Sequence, residues 1–204
     1  MDLDEVDDPE ALSLQTRPFG ARQRALKRGV DLVLGAAALV LTIPLWAIIA
    51  GLIRLTTREP ALFRQERIGH NGVPFVMYKF RSMAGGPDES AEGTDRVTPI
   101  GRFLRKYSLD ELPQLLNVLK GDMSLVGPRP ELPRIVARYE PWQRKRLEVK
   151  PGMTGLWQIL GRKDLPLTDN IHYDFYYIRN QSLVFDVAIL LRTIPAVLSG
   201  KGAY

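Results

Sequence analysis

A chain of 204 residues suits one domain with a real hydrophobic core. The absence of cysteine excludes disulfides, thiolate nucleophiles and cysteine-ligated zinc, and the two histidines, His70 and His172, lie too far apart for a zinc motif, so any metal must be a hard cation on oxygen ligands. The net charge of +5 hides a split: residues 1 to 10 hold six of the 23 acids and no base, leaving 28 bases against 17 acids, or +11, in a body that suits a polyanionic partner.

In chain order, residues 1–20 read as a disordered acidic tail. Residues 21–58 form a membrane segment, because Leu32 to Ile53 is a 22-residue run without a charge, and about 20 apolar residues cross a bilayer core as a helix. Arg17, Arg22, Arg24, Lys27 and Arg28 precede it and Arg54, Arg58, Arg64 and Arg67 follow it. Both flanks therefore carry the signal that retains a segment in the cytoplasm. Pro44, near the middle, deletes the backbone bond to Val40, and Thr42 is placed to satisfy a freed carbonyl. A helix that breaks at Pro44 and re-enters on the same side accounts for both facts, with a plain kinked span as the alternative. Asp31, beside Lys27 and Arg28, reads as a structural ion-pair member.

Residues 59–204 form the cytoplasmic part. Ala61 to Arg67 and Val73 to Met83 read as short strands about a His70-Asn71-Gly72 turn, with Lys79 and Arg81 on one face by period two. Ala84 to Asp95 is a polar loop able to cover a substrate. Thr98 to Tyr107 is a basic amphipathic helix carrying Arg102, Arg105 and Lys106. It leads into Asp110 and Glu111. A Ser108–Glu111 capping box would place these acids in the first helical turn, whereas Pro113 as the first helical residue would leave them just outside. Helix capping and catalysis both explain this pair. Gly127-Pro128-Arg129-Pro130 then fixes an arginine between prolines, where it can grip a phosphate.

Glu131 to Val149 mixes Tyr139 and Trp142 with Arg134, Arg138, Arg144, Lys145 and Arg146, a basic helix interrupted at Pro141 that suits an anionic membrane surface. No finger, recognition helix or RNA-binding signature supports nucleic acid. Pro151 to Gly155 reads as a tight turn, Arg162 as an isolated cation, and Leu183 to Leu198, with Asp186, Arg192 and Pro195, as a helix that packs at the interface or in the core. The fold class is α+β, mostly helical, with amphipathic interface helices and a few short strands.

These residues together resemble the bacterial sugar transferases, the monotopic polyprenol-phosphate phosphoglycosyl transferases, in the small form confined to the catalytic domain. The resemblance covers about residues 24–204. It rests on Lys27-Arg28 with Asp31, the proline-containing membrane helix, Tyr78-Lys79-Phe80-Arg81-Ser82-Met83, Ser108-Leu109-Asp110-Glu111-Leu112, Asn117 to Ser124, Gly127-Pro128-Arg129-Pro130 and Pro151 to Gly155. Ile43 departs from members that carry serine before the proline.

What the resemblance implies is transfer of a sugar 1-phosphate from a UDP-sugar to polyprenol (undecaprenyl) phosphate with release of UMP, initiating surface glycan assembly at the cytoplasmic face of the bacterial inner membrane. It casts Asp110 as nucleophile in a two-step route, Glu111 as its assistant, Mg2+ as a cofactor on Asp110 and Glu111, and Arg105, Arg129, Arg162 and Lys79 as phosphate-binding cations. It also allows a homodimer, and the Gly202-Ala203-Tyr204 ending resembles hexose 1-phosphate transferring members. A non-catalytic, membrane-anchored basic binding protein and a metal-dependent diphosphate hydrolase are the competing classes.

Overall fold

The computed structural model describes residues 19–84, 96–160 and 167–200, of 167–170 the backbone alone. Almost all of the acidic tail, nearly all of the Ala84 to Asp95 loop, Arg162 and the Gly202-Ala203-Tyr204 ending lie outside the described residues. The architecture is α+β and mostly helical, as expected.

Helix α1, Ala21–Thr57, is the organising element. Its 37 residues would measure about 55 Å if straight. It begins where the Gln23 side chain accepts from the Gly20 N–H (3.2 Å) and ends at Arg58, whose left-handed φ of 59° stops the helix. The expected break at Pro44 is not an interruption, because the chain stays helical through the proline. A proline costs one backbone bond but leaves the turns on either side intact when the helix is long. Thr42 is engaged differently from the expectation: its hydroxyl donates to Ala38 O (2.7 Å) and Leu39 O (3.2 Å) rather than to the carbonyl that the proline frees. That back-bonding favours a local bend. The helix is long and apolar enough to cross a membrane, and Val33, Val40, Leu41 and Ile48 are exposed.

Both halves of α1 pack on the rest of the chain. In the first half, Gly35 lies against Val118, where a Cβ would come within 3.3 Å of a methyl group. In the second, Ile49 and Ile53 are buried with Phe80 and Leu104, and Trp46 meets Phe80 edge-on at 5.4 Å.

Strands β1, Leu62–Ile68, and β2, Pro74–Phe80, form an antiparallel hairpin in which Leu62 faces Phe80 and Ile68 faces Pro74. Asn71 takes a positive φ of 55° in the turn between them. The second strand ends before Arg81, so the expected shared face of Lys79 and Arg81 dissolves: Lys79 is buried, while Arg81 pairs with Glu59 at 3.1 Å.

Helix α2, Pro99–Lys106, is capped by the Thr98 hydroxyl, which accepts from Gly101 N–H. Helix α3, Gln114–Lys120, follows a 3-10 turn at Leu109–Glu111. Strand β3, Ser124–Val126, pairs in parallel with β4, Gly152–Thr154, so what the sequence suggested as a tight turn is a buried strand. Two pieces replace the expected amphipathic helix at 131–149: α4, Pro133–Val136, and a 3-10 segment Gln143–Glu148. Arg146 in the latter is 2% exposed, which overturns its assignment to a membrane-facing row. Helices α5, Leu156–Leu160, α6, Leu167–Arg179, and α7, Leu183–Ser199, complete the fold.

The principal core joins Val118, Met123, Val126, Phe175, Ile178 and Ile189 from α3, the turn after it, β3, α6 and α7. On α7, Val184, Val187, Leu191, Ile194 and Leu198 stay exposed at helical spacing, an apolar stripe turned away from that core.

Candidate active site

The first turn after α2 carries the acids. Ser108 adopts φ 51° and ψ 24°, a left-handed conformation for a non-glycine residue, and its side chain caps nothing. The capping-box alternative therefore fails: Pro113 immediately precedes α3, and Asp110 and Glu111 stand outside it in the 3-10 turn. Left-handed strain of this kind costs on the order of 1–3 kcal/mol and persists where surrounding structure enforces it. Here it turns the acids inward, leaving Asp110 8% exposed.

Glu111 is held by cations from two directions. Arg129 Nη1 donates to its Oε1 at 3.2 Å, and Lys79 Nζ lies 3.8 Å from the same oxygen. Glu111 raises the Arg129 guanidinium further above its usual value, outweighing the opposing effect of burial. Burial pushes the Lys79 ammonium below its ordinary value, while Glu111 pulls it back up.

The Gly127-Pro128-Arg129-Pro130 loop that carries Arg129 is sewn to β4. Gly127 N–H donates to Thr154 O (2.9 Å) and Gly152 N–H to Pro128 O (2.8 Å). A Cβ on Gly152 would stand 2.0 Å from Gly127 N, so only glycine permits this approach. Behind the loop, Arg146 donates to Arg129 O (3.0 Å), to the Tyr139 hydroxyl and to the buried Asp174 carboxylate. Arg67 adds a bond to Pro130 O (3.1 Å).

Asp110, Glu111, Arg105 and Arg129 line one cavity of about 460 Å3, in the range of small-molecule sites. The remaining wall is largely apolar and includes Ala38 of α1, Leu112 and Leu115, Met153 and Trp157, and Leu190 and Val197 of α7. Thus four of the sequence-predicted residues meet in one place and Lys79 stands behind Glu111, while Arg162 lies outside the described residues. Among the described residues no three His, Asp or Glu side chains gather to hold a metal ion. Two carboxylates are nonetheless a donor set that magnesium accepts, because it binds few protein oxygens and completes its shell with water or phosphate.

The mouth of α1 is arranged differently from the expected ion pair. Asp31 accepts from Ser124 Oγ (3.1 Å) and Leu125 N–H (3.0 Å). Its neighbours go elsewhere: Lys27 pairs with Asp186 of α7, and Arg28 donates to Val118 O and to Leu119 O (2.8 Å), two carbonyls in the last turn of α3.

Sequence reasoning names Asn117 only as the start of a motif and gives it no role, yet it is fully buried. Its amide accepts from Tyr78 N–H (3.1 Å) and donates to Val76 O (2.7 Å) and Asp122 (3.2 Å), tying β2 to α3. Sequence reasoning missed the Arg146–Asp174 pair. An acid among Ile171, Phe175 and Ile178 on one apolar helix was the available signal for the latter.

Comparison with known proteins bears on this site. The family model described as bacterial sugar transferase matches residues 22–200. An exopolysaccharide production protein of Rhizobium meliloti (strain 1021) is 38% identical, over 92% of this chain and 91% of its own length. The UDP-glucose:undecaprenyl-phosphate glucose-1-phosphate transferase of Caulobacter vibrioides is 42% identical, over 96% of this chain and 80% of its own length. The undecaprenyl-phosphate galactose phosphotransferase of Salmonella typhimurium is 41% identical over 95% of this chain, which spans 44% of that longer protein.

Proposed function

The chain belongs to the bacterial sugar transferase family, and on that premise we propose that it moves a hexose 1-phosphate from a UDP-sugar to undecaprenyl phosphate, releasing UMP. The observation that carries this reading is the cavity itself: carboxylates and guanidinium groups occupy part of its wall, and apolar side chains of α1 and α7 occupy much of the rest. A phosphate-bearing lipid needs both kinds of surface at once.

Asp110 is the nucleophile. Its carboxylate oxygen attacks the phosphorus that bears the sugar, the bond from that phosphorus to the bridging oxygen breaks, and UMP departs with the electron pair. A phosphate oxygen of the lipid then attacks the same phosphorus and displaces Asp110, giving a sugar joined to the lipid by a diphosphate. A carboxylate attacking an anionic diphosphate is strongly repelled in water, so guanidinium groups held in position supply much of the stabilisation. Arg105 and Arg129 serve that end. Glu111, fixed by Arg129 and Lys79, orients the incoming lipid phosphate. Asp110 and Glu111 would hold magnesium, which would supply further charge neutralisation.

The packing of α1 supports a re-entrant topology. Its first half is anchored through Lys27, Arg28 and Asp31 and its second through Ile49 and Ile53, all to the same body. A helix bent at Pro44 keeps both basic flanks on the cytoplasmic face of the inner membrane and sets the cavity at headgroup depth, where a soluble nucleotide sugar and a lipid phosphate can meet. Cysteines introduced at Gln15 and Thr57 should label from the same side; opposite-side labelling refutes this topology.

The enzymatic test is UMP release by the purified chain, with and without undecaprenyl phosphate. Asp110→Asn should abolish release and Arg129→Ala reduce it at least tenfold, both variants remaining folded and membrane-bound. An Asp110→Asn protein that keeps wild-type turnover refutes the assignment, and sustained multiple turnover without the lipid points to a hydrolase instead.

A further inference from the structure

Among the described residues six buried side-chain polar atoms lack a hydrogen-bond partner, and three of them fall on two adjacent residues of α5: Trp157 Nε1 and both amide atoms of Gln158. A buried polar group left without a partner is destabilising, so three of them side by side call for an explanation. Both residues line the catalytic cavity. A Cβ on Gly155 would lie 2.6 Å from Gln158 Oε1 and 2.3 Å from Gly127 O, so the amide and the start of the arginine-bearing loop both close on this glycine.

Resting on the transferase reading above, we infer that Gln158, assisted by the Trp157 indole N–H, binds the sugar of the donor and sets which hexose is accepted. The chemistry selects the ligand part. Arg105 and Arg129 suit the phosphates, and the lipid tail offers no hydrogen bonds at all. The unpartnered groups are neutral and comprise N–H donors together with one carbonyl acceptor, the set that hydroxyl groups satisfy, because each hydroxyl both donates and accepts. The sugar is bonded directly to the phosphorus that Asp110 attacks, so it must occupy the same cavity. The uracil ring carries a comparable donor and acceptor edge and is the other source of such chemistry in a nucleotide sugar.

The experiment compares wild type with Gln158→Leu, which keeps the approximate volume and removes the amide. UMP release is followed with UDP-glucose, UDP-galactose and UDP-N-acetylglucosamine, and with CDP-glucose as the base control. In Gln158→Leu, kcat/KM for the preferred UDP-sugar should fall about tenfold or more, the value of one or two net hydrogen bonds. The ratios among the three UDP-sugars should shrink, with the preference for UDP-glucose over CDP-glucose retained. The thermal midpoint of the ligand-free protein should hold or rise, because no intramolecular bond is lost and two unsatisfied groups are removed.

An equal loss for all UDP-sugars with relaxed base preference assigns the amide to uracil and overturns the inference. So does an unchanged sugar profile, or a lowered midpoint with uniform loss, which marks a structural role. If wild type releases no UMP from any UDP-sugar, the transferase reading falls and this inference with it. Release by wild type with an unchanged profile in the variant removes the inference alone.

Discussion

Asp174→Ala should cost this protein more stability than most single substitutions. Arg146 and Asp174 are 2% and 3% exposed, and the carboxylate is the sole acidic partner in the ion pair that the guanidinium makes among the described residues. Removing it strands a positive charge out of water, which typically costs about 3–5 kcal/mol. For a chain of this length each kcal/mol corresponds to about 2–4 °C, so the thermal midpoint should drop by roughly 6–20 °C. The double variant Arg146→Met/Asp174→Leu exchanges the pair for apolar volume and should recover most of that loss. It does not restore the bond from Arg146 to Arg129 O, so UMP release should remain depressed while the fold recovers. The assays are thermal unfolding in detergent or nanodiscs and UMP release on the same samples. A drop under about 2 °C for Asp174→Ala would refute the reasoning on buried charge. Full recovery of activity in the double variant would refute the role of Arg146 in positioning the arginine loop.

Gly152→Ala would place a methyl group 2.0 Å from Gly127 N, so the start of the arginine loop must move away from β4. UMP release should fall by at least tenfold with membrane association retained, and wild-type release would show that the loop tolerates the shift. Lys79 yields a pH signature: its folded pKa lies below the ordinary 10.5, so between those two values the unfolded chain binds the extra proton and stability rises with pH, levelling off above 10.5. Lys79→Met should lack this rise, so the difference in denaturant midpoint, wild type minus variant, should climb with pH when measured from neutral pH upward. Asn117→Ala removes three side-chain hydrogen bonds and should destabilise by about 2–4 kcal/mol, read as a lowered denaturation midpoint.

The local order of the chain fixes several features outright. A 22-residue uncharged run can only be a long apolar helix, the His70-Asn71-Gly72 turn forces a hairpin between two extended segments, and adjacent acids near a proline-flanked arginine suit phosphate chemistry. Tertiary structure decided the rest, because burial and pairing depend on partners far away in sequence. Lys79 and Arg81 are alike on paper, yet β2 ends between them and sends one to Glu111 and the other to Glu59. Arg146 sits among basic residues that suit a membrane surface, but Asp174, 28 positions on, draws it into the interior. Lys27, Arg28 and Asp31 are neighbours on one helix, and each finds its partner on another element. A charge pattern states which residues can ionise; only the fold determines which counter-charge, carbonyl or solvent each one meets.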